Sequence, residues 1–146
     1  MHKLVFMLKT YKNDFSYVKR LLETYTLHNK ENIPLYIVLP EENNDDFIEL
    51  MGPLLIESIE ILFEEQICKH LVKESVGGFR VGYVNQEIVK LSFWETNVCE
   101  NYVCLDSEAI FIRDYYISDF FFHITNHTKI KKWVTNPLVI KYTKII

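Results

Sequence analysis

The chain has 146 residues, of which 49% are hydrophobic, 14% aromatic and 25% charged, and its formal net charge is −4. This length and apolar content suit one globular domain with a sizeable core. A mildly acidic chain without a long basic run is not built to bind nucleic acid, because that binding depends on neutralising phosphates with lysine and arginine.

Cysteine usage and hydropathy predict a cytoplasmic protein. The three cysteines, Cys68, Cys99 and Cys104, form no CxxC pair and are odd in number, which is typical of reduced thiols. The N-terminal residues contain no small-residue cleavage site, so they do not resemble a signal peptide. No run of 18 apolar residues is present, so we expect no transmembrane segment, whereas contact with a membrane surface stays open.

The first third of the chain predicts a strand, a helix and a second strand. Residues 4–8 form a compact apolar run, which predicts a buried strand followed by a polar loop. Asp14 is the expected N-cap of an amphipathic helix that runs to about His28. Residues 33–39 are continuously apolar, which predicts a strand buried on both faces, and Pro40 ends it.

The same alternation continues to residue 112. Helices are predicted over 41–52, 64–74 and 86–97, and strands over 56–63, 102–105 and 109–112. Strands that alternate with helices predict an α/β fold with a mostly parallel sheet. Ligands of such sheets bind beyond the carboxyl ends of the strands, so polar residues at those ends are the first candidates for a site.

The residues between the last two predicted strands carry the clearest chemical signal. Asp106, Ser107 and Glu108 interrupt an otherwise apolar stretch, and an Asp-x-Glu pair at a strand end can present both carboxylates on one side of a turn. Such oxygen ligands suit Mg²⁺ or Mn²⁺, which usually take one or two protein carboxylates and complete their coordination with phosphates and water. The pair therefore predicts a metal-bound diphosphate, and an acidic turn that caps local backbone amides is the alternative.

The stretch 102–116, YVCLDSEAIFIRDYY, resembles the Asp-x-Asp region of glycosyltransferases with the GT-A fold. In that family an aliphatic strand leads into two acids and then into another strand. The resemblance extends over residues 3–121 and includes GYVNQEIVKL at 82–91; it is closest to bacterial glycosyltransferase-like proteins found with surface-polysaccharide genes. It implies a Rossmann-like nucleotide-diphospho-sugar transferase fold with a mostly parallel central sheet, truncated after the nucleotide-binding half.

The resemblance also implies a site. Asp106 and Glu108 match the two acids that hold Mn²⁺ or Mg²⁺, although Glu108 stands where aspartate is commoner and its extra methylene moves the carboxylate. The end of the first strand matches the place of the base and ribose, and the helix before the motif lies near the donor sugar and its diphosphate. The implied nucleotide-sugar-binding residues are Thr10, Tyr11, Gln86, Lys90, Asp106 and Ser107.

The implied reaction is transfer of a sugar from a UDP- or GDP-type nucleoside diphosphate sugar to a glycan or lipid-linked acceptor. It would take place in the cytoplasm or peripherally at the inner face of a bacterial membrane. A non-catalytic remnant or binding module of the same fold is the alternative from another class of function. A phosphatase of the haloacid dehalogenase type is a third reading, but in that family the acidic motif usually opens the domain.

The end of the chain differs from the rest in composition, since residues 124–146 contain five lysines and no acidic residue. We expect a nucleotide-sugar-binding α/β domain over 1–122 and a basic, atypical tail over 123–146. The tail predicts either an edge strand or the translated remnant of a disrupted reading frame, and an unpaired edge would favour a homodimer. His123 and His127 are expected to be solvated loop residues rather than metal ligands.

Overall fold

A sheet of four parallel strands organises the protein, whose computed structural model describes residues 1–121 and 139–141. The strands are β1 (Val5–Lys9), β2 (Leu35–Leu39), β3 (Ile59–Phe63) and β4 (Tyr102–Leu105), and their order in the sheet is β3-β2-β1-β4. Every described neighbour pair in this sheet is parallel. The predicted α/β fold with a mostly parallel sheet is therefore confirmed.

Helices cover both faces of the sheet, which explains why β1 and β2 are buried along their whole length. The helices are α1 (Phe15–His28), α2 (Asn44–Met51), the single turn α3 (Glu64–Ile67) and α4 (Val81–Ser92). Side chains alternate along β1, so Phe6 and Leu8 pack with α1 and α2, whereas Val5 and Met7 pack with α4 on the other face.

An aromatic cluster around Phe6 holds the larger core together. Phe6 has no exposed surface, and its ring lies 6.3 Å from that of Tyr25, 5.3 Å from Phe111, 5.5 Å from Tyr115 and 5.2 Å from Phe120, between ring centroids. These contacts connect the central strand to α1 and to the chain that follows the acidic motif. The cluster thus ties the two ends of the described domain to one core.

The chain after the acidic motif is fastened to the end of α1. It forms β5 (Ala109–Phe111), which pairs antiparallel with β6 (Val139–Lys141). Further on, Tyr115 N donates to the His28 carbonyl at 3.1 Å, and the Asp114 carboxylate lies 2.9 Å from His28 Nδ1. The hydrogen bond with His28 lowers the pKa of Asp114 below its ordinary value.

The predicted helix over 64–74 is wrong in its length, because α3 ends at Ile67. Cys68 is extended, and the chain beyond it makes a tertiary contact in place of helical hydrogen bonds. The Asn85 side chain accepts a hydrogen bond from Val72 N at 2.8 Å and donates one to Val72 O at 3.0 Å, so it satisfies both backbone groups of Val72. The chain from 68 to 80 is consequently a loop laid against α4.

The predicted helix over 86–97 begins earlier than expected, at Val81, and ends at Ser92. A short 3₁₀ turn, Phe93–Thr96, continues it, and Asn97 then adopts a left-handed conformation with φ of 55°. Gly82 lies in the first turn, where it costs less than in a helix interior. Gly82 therefore lies inside the helix, whose start the sequence had placed at residue 86.

The boundary predicted at residue 122 falls at the edge of the described residues, and His123 and His127 lie outside them. Among the described residues, no helix is both long enough and apolar enough to cross a membrane.

The Phe6 cluster yields a prediction about stability. Phe6→Ala is expected to lower the free energy of unfolding by ~3–5 kcal/mol, because it opens a cavity that fixed neighbours cannot fill. Urea denaturation measures this change, with an unchanged m-value as evidence that both states keep their compactness.

The matched control is Tyr17→Ala, since Tyr17 is exposed on α1. It should change the free energy of unfolding by no more than about 0.5 kcal/mol. Equal losses in the two variants would contradict the central role of Phe6.

Candidate functional site

The order of the strands creates a crevice between β1 and β4. The chain runs from β1 to β2 on one side, whereas β4 pairs with β1 on the other side, so the carboxyl ends of β1 and β4 flank a topological switch point. Leu8 pairs with Leu105 in the register, and Thr10 and Ser107 follow two residues later on each strand. The acidic motif is therefore positioned beside the end of β1.

A buried hydroxyl pair joins the two strand ends. Ser107 Oγ donates to Thr10 Oγ1 at 3.1 Å, and both side chains are buried. Because Ser107 points into the protein, the alternating chain direction leaves Asp106 and Glu108 partly exposed on either side of it. The two hydroxyls thus fix the acidic motif to the end of β1. The resemblance had instead implied that Thr10 and Ser107 bind the nucleotide sugar.

Lys90 holds the first carboxylate of the motif. Its Nζ lies 3.2 Å from Asp106 Oδ1 and 3.4 Å from Glu87 Oε1, and its side chain is mostly buried. The backbone carbonyl of Lys90 also accepts a hydrogen bond of 2.9 Å from the Tyr102 hydroxyl, which fixes this turn of α4 against β4. Helix α4 thus presents an ammonium group at the acidic motif.

Asp14 faces the second carboxylate of the motif. Sequence analysis assigned it only as the N-cap of α1, and it does occupy that position, but its side chain makes no capping hydrogen bond. Burial raises the pKa of Asp14, the negative charge of Glu108 raises it further, and Lys9 opposes both effects. An acidic pair from two distant parts of the chain therefore borders the crevice.

A second ion pair spans the carboxyl edge of the sheet. Lys9 Nζ lies 2.5 Å from Glu64 Oε2 and donates to the Thr10 carbonyl at 3.0 Å. The exposed fractions of the two side chains are only 7% and 11%, so the pair is mostly withdrawn from water. Lys9 ends β1 and Glu64 begins α3, so the pair reaches across the end of β2.

The ion pair of Lys9 and Glu64 was not predicted from the sequence. Its signal was a lone lysine at the end of a wholly apolar strand, and a glutamate directly after another strand. A buried lysine needs a carboxylate partner, because an unpaired charge in the interior is costly. Which carboxylate it takes depends on the strand order, which sequence alone does not reveal.

A cavity of about 560 Å³ opens at the same edge of the sheet. This volume lies in the range of small-molecule and cofactor sites. The cavity has cationic, anionic and aromatic groups on its walls, which suits a ligand with a planar ring and polar substituents. Its lining includes Lys9, Tyr11, Glu64, Arg80, Tyr83 and Gln86.

The structure therefore divides the predicted site residues into two groups. Thr10, Ser107, Lys90 and Asp106 meet at the ends of β1 and β4. Tyr11 and Gln86 instead line the cavity, to which Lys9, the neighbour of Thr10, also contributes. Glu108 borders the first group through its interaction with Asp14.

The oxygen ligands of the motif fit a hard divalent cation in part. Among the residues that the structure describes, no three His, Cys, Asp or Glu side chains are grouped to hold an ion together. Asp106 and Glu108 nevertheless offer carboxylate oxygens, and Asp14, whose pKa is raised by burial and then by the charge of Glu108, lies near the second of them. A cation that receives most of its ligands from phosphate and water would suit this arrangement.

No protein-family model matches the sequence, and no curated protein does. The chain is similar in structure to S. aureus TarS, with 15% identity, a TM-score of 0.44, and coverage of 77% of this chain and 18% of that one. It is also similar to mouse xyloside xylosyltransferase 1 in its apo form, with 12% identity, a TM-score of 0.49, and coverage of 77% of this chain and 46% of the other.

The chain thus spans less than half the length of each of these two proteins.

The Asp14–Glu108 arrangement predicts a pH-dependent stability difference. A carboxyl group whose pKa is raised by folding stabilises the fold when protonated, and it loses that contribution as pH rises from below about 3.9 through the raised pKa. The side chain of Asp14→Asn cannot ionise. As pH rises through the raised pKa, the free energy of unfolding of this variant is therefore expected to increase relative to that of wild type, and to remain higher at pH 7.

Urea denaturation of both proteins across the acidic range measures the difference. Asp45→Asn, on the exposed surface of α2, is the matched control and should change stability little. An advantage of Asp14→Asn that shrinks as pH rises would contradict the assignment.

Proposed function

We propose that the protein binds a nucleoside diphosphate sugar in the manner of GT-A glycosyltransferases and transfers the sugar to an acceptor. One observation carries the proposal: the ion pair of Asp106 and Lys90 lies at the switch point of a parallel sheet, beside a cavity of about 560 Å³. This is the position at which open α/β sheets bind nucleotides.

The nucleoside would occupy the cavity. Tyr11 and Tyr83 lie on its walls with exposed rings, which suits contact with a base or ribose, and Gln86 adds a polar group. Arg80 and Lys9 bring positive charge to the same space, although Lys9 is paired with Glu64. UDP and GDP sugars are both candidates for the donor.

The diphosphate would lie beside the acidic motif. Asp106 and Glu108 would hold Mn²⁺ or Mg²⁺, and the bound cation would offset the charge that develops on the leaving diphosphate. The role of Lys90 is to keep the Asp106 carboxylate in place and to add positive charge where the phosphates lie. Ser107 and Thr10 connect the two strand ends through their hydroxyl hydrogen bond.

The acceptor is proposed as a glycan or a lipid-linked sugar. It would approach the open side of the crevice, where Asp14 faces Glu108. Burial raises the pKa of Asp14, and a carboxyl group beside the crevice could accept a hydrogen bond from an acceptor hydroxyl.

A non-catalytic binding module of the same fold is the second candidate. It is favoured by the contact of Lys90 with Asp106 Oδ1, because that ion pair engages an oxygen that a metal would otherwise use. In such a module the ammonium group replaces the cation, so the diphosphate binds without metal and without sugar transfer. The substitution of glutamate at 108 for the commoner aspartate points the same way.

A haloacid dehalogenase-type phosphatase fits the structure less well. In that reading the nucleophilic aspartate would follow the strand that opens the domain. Here β1 ends at Lys9 and is followed by Thr10, whereas Asp106 follows β4. A covalent aspartyl phosphate trapped at Asp106 with a metallofluoride would nonetheless reverse this ranking.

Calorimetry with UDP and GDP, with and without Mn²⁺, tests the proposal. We expect one of the two nucleotides to bind in the presence of Mn²⁺. Asp106→Asn and Glu108→Gln are each expected to weaken this binding by about tenfold or more, since one lost contact to a charged ligand costs about 1.5–3 kcal/mol.

Glu23→Gln, exposed on α1, is the matched control and should bind like wild type. Equal affinity of wild type and Asp106→Asn would refute the metal assignment. Metal-independent binding without turnover of the corresponding nucleotide sugars would support the binding module, and no binding of either nucleotide would contradict both candidates.

A further inference from the structure

A short hairpin at the mouth of the cavity exposes apolar side chains to solvent. Val76 and Phe79 form an antiparallel bridge around Gly77 and Gly78, and Phe79 N donates to the Val76 carbonyl at 3.0 Å. Both glycines have positive φ, 58° and 83°, which tight two-residue hairpins require and which side-chain-bearing residues rarely adopt. The two glycines therefore permit this tight turn.

The hairpin presents its apolar groups together. Residues opposite each other in a hairpin project to the same face, so Val76 and Phe79 form one surface. Their exposed fractions are 52% and 58%, and that of Tyr83 in the first turn of α4 is 58%. The rings of Phe79 and Tyr83 stack with centroids 5.7 Å apart, which extends the same surface onto α4.

Positive charge surrounds this surface in an otherwise acidic protein. Between residues 69 and 83 lie Lys69, Lys73 and Arg80 against a single carboxylate, Glu74, which gives a local charge of +2 in a chain of −4. All three cations are exposed. In the described part of the chain none of the three has an ion-pair partner, whereas Lys9, Lys12, Lys30 and Lys90 do.

We propose that this surface, the hairpin surface of Val76, Phe79 and Tyr83 with Lys69, Lys73 and Arg80, docks the protein on an anionic lipid bilayer. Aromatic side chains partition to the interface between headgroups and acyl chains, and nearby lysine and arginine are attracted to anionic headgroups. A protein partner with an apolar groove would satisfy the aromatic groups, but it would need a separate acidic patch to match the three unpaired cations.

Docking in this way would turn the cavity toward the bilayer. Arg80, Gly82 and Tyr83 line the cavity and follow the hairpin directly along the chain. An acceptor whose sugar is carried on a lipid would thus meet the crevice at the membrane surface. The docking itself does not depend on the proposed transfer reaction, and its test needs neither nucleotide nor metal.

Co-sedimentation of the full chain with vesicles tests the proposal. The vesicles consist of phosphatidylcholine alone, or of phosphatidylcholine and phosphatidylglycerol in equal parts. Wild type is expected to bind the mixed vesicles, to bind the neutral ones much less, and to lose affinity as salt is raised. The double variant Val76→Ser/Phe79→Ser should bind at least about tenfold more weakly, because both apolar contacts are removed.

Lys73→Glu probes the charge without touching the cavity wall. Loss of one cation near an anionic surface corresponds to about a fivefold loss of affinity, so a charge reversal should exceed that. Ile48→Ser is the matched control: Ile48 is 43% exposed on α2, which covers the opposite face of the sheet. It should bind like wild type, and circular dichroism checks that all variants are folded.

The lysines near the end of the chain also attract anionic lipid, but they are present in every variant and cancel in the comparison. Absence of binding by wild type, unchanged binding by Val76→Ser/Phe79→Ser, or equal loss in Ile48→Ser would each overturn the proposal. Concentration-dependent dimers that only the double variant abolishes, without vesicle binding, would instead identify the surface as an interface between two copies.

Discussion

Parallel pairing of β1 with β2 on one side and with β4 on the other is the constraint on which the rest of the structure depends. It buries the central strand on both faces and so requires helices above and below the sheet. It also sets the register in which Thr10 and Ser107 meet, since their strands pair at Leu8 and Leu105. The crevice beside the acidic motif follows directly from that register.

The electrostatics of the site follow from the same topology. Lys9 at the end of β1 reaches over β2 to Glu64, whereas Asp106 at the end of β4 takes its cation from Lys90 on α4. Lys9 pairs with Glu64 and Lys90 pairs with both Asp106 and Glu87, whereas burial and the charge of Glu108 raise the pKa of Asp14. In the proposed function, an incoming cation would reduce the repulsion between Asp14 and Glu108.

The cavity and the hairpin surface share a structural origin. Asn85 forms two hydrogen bonds with the backbone of Val72, in the loop that follows α3. This loop and the hairpin lead into α4, whose first turn contributes to the cavity wall. One side-chain amide thus links this loop to α4, which contributes to the cavity wall and carries Tyr83 beside Phe79. Ligand binding at the cavity and docking at the hairpin are therefore expected to involve the same segment.

Sequence by itself determined the elements and the location of the acidic motif. Continuous apolar runs such as 33–39 predicted strands buried on both faces, because a strand covered on two sides has no polar side to display. Asp106 and Glu108 were predicted at a strand end, where the structure has them. Helix boundaries were less predictable, since the helices predicted over 64–74 and 86–97 are Glu64–Ile67 and Val81–Ser92 in the structure.

Tertiary structure alone decided which side chains meet. Three interactions join residues that lie 16 to 94 positions apart in the sequence. They are Lys9 with Glu64, Lys90 with Asp106, and Asp14 with Glu108. Local periodicity reports only the neighbours of a residue along its own helix or strand. Contacts across the sheet depend on strand order, and the free energy that selects strand order is distributed over the whole core and not encoded in any one segment.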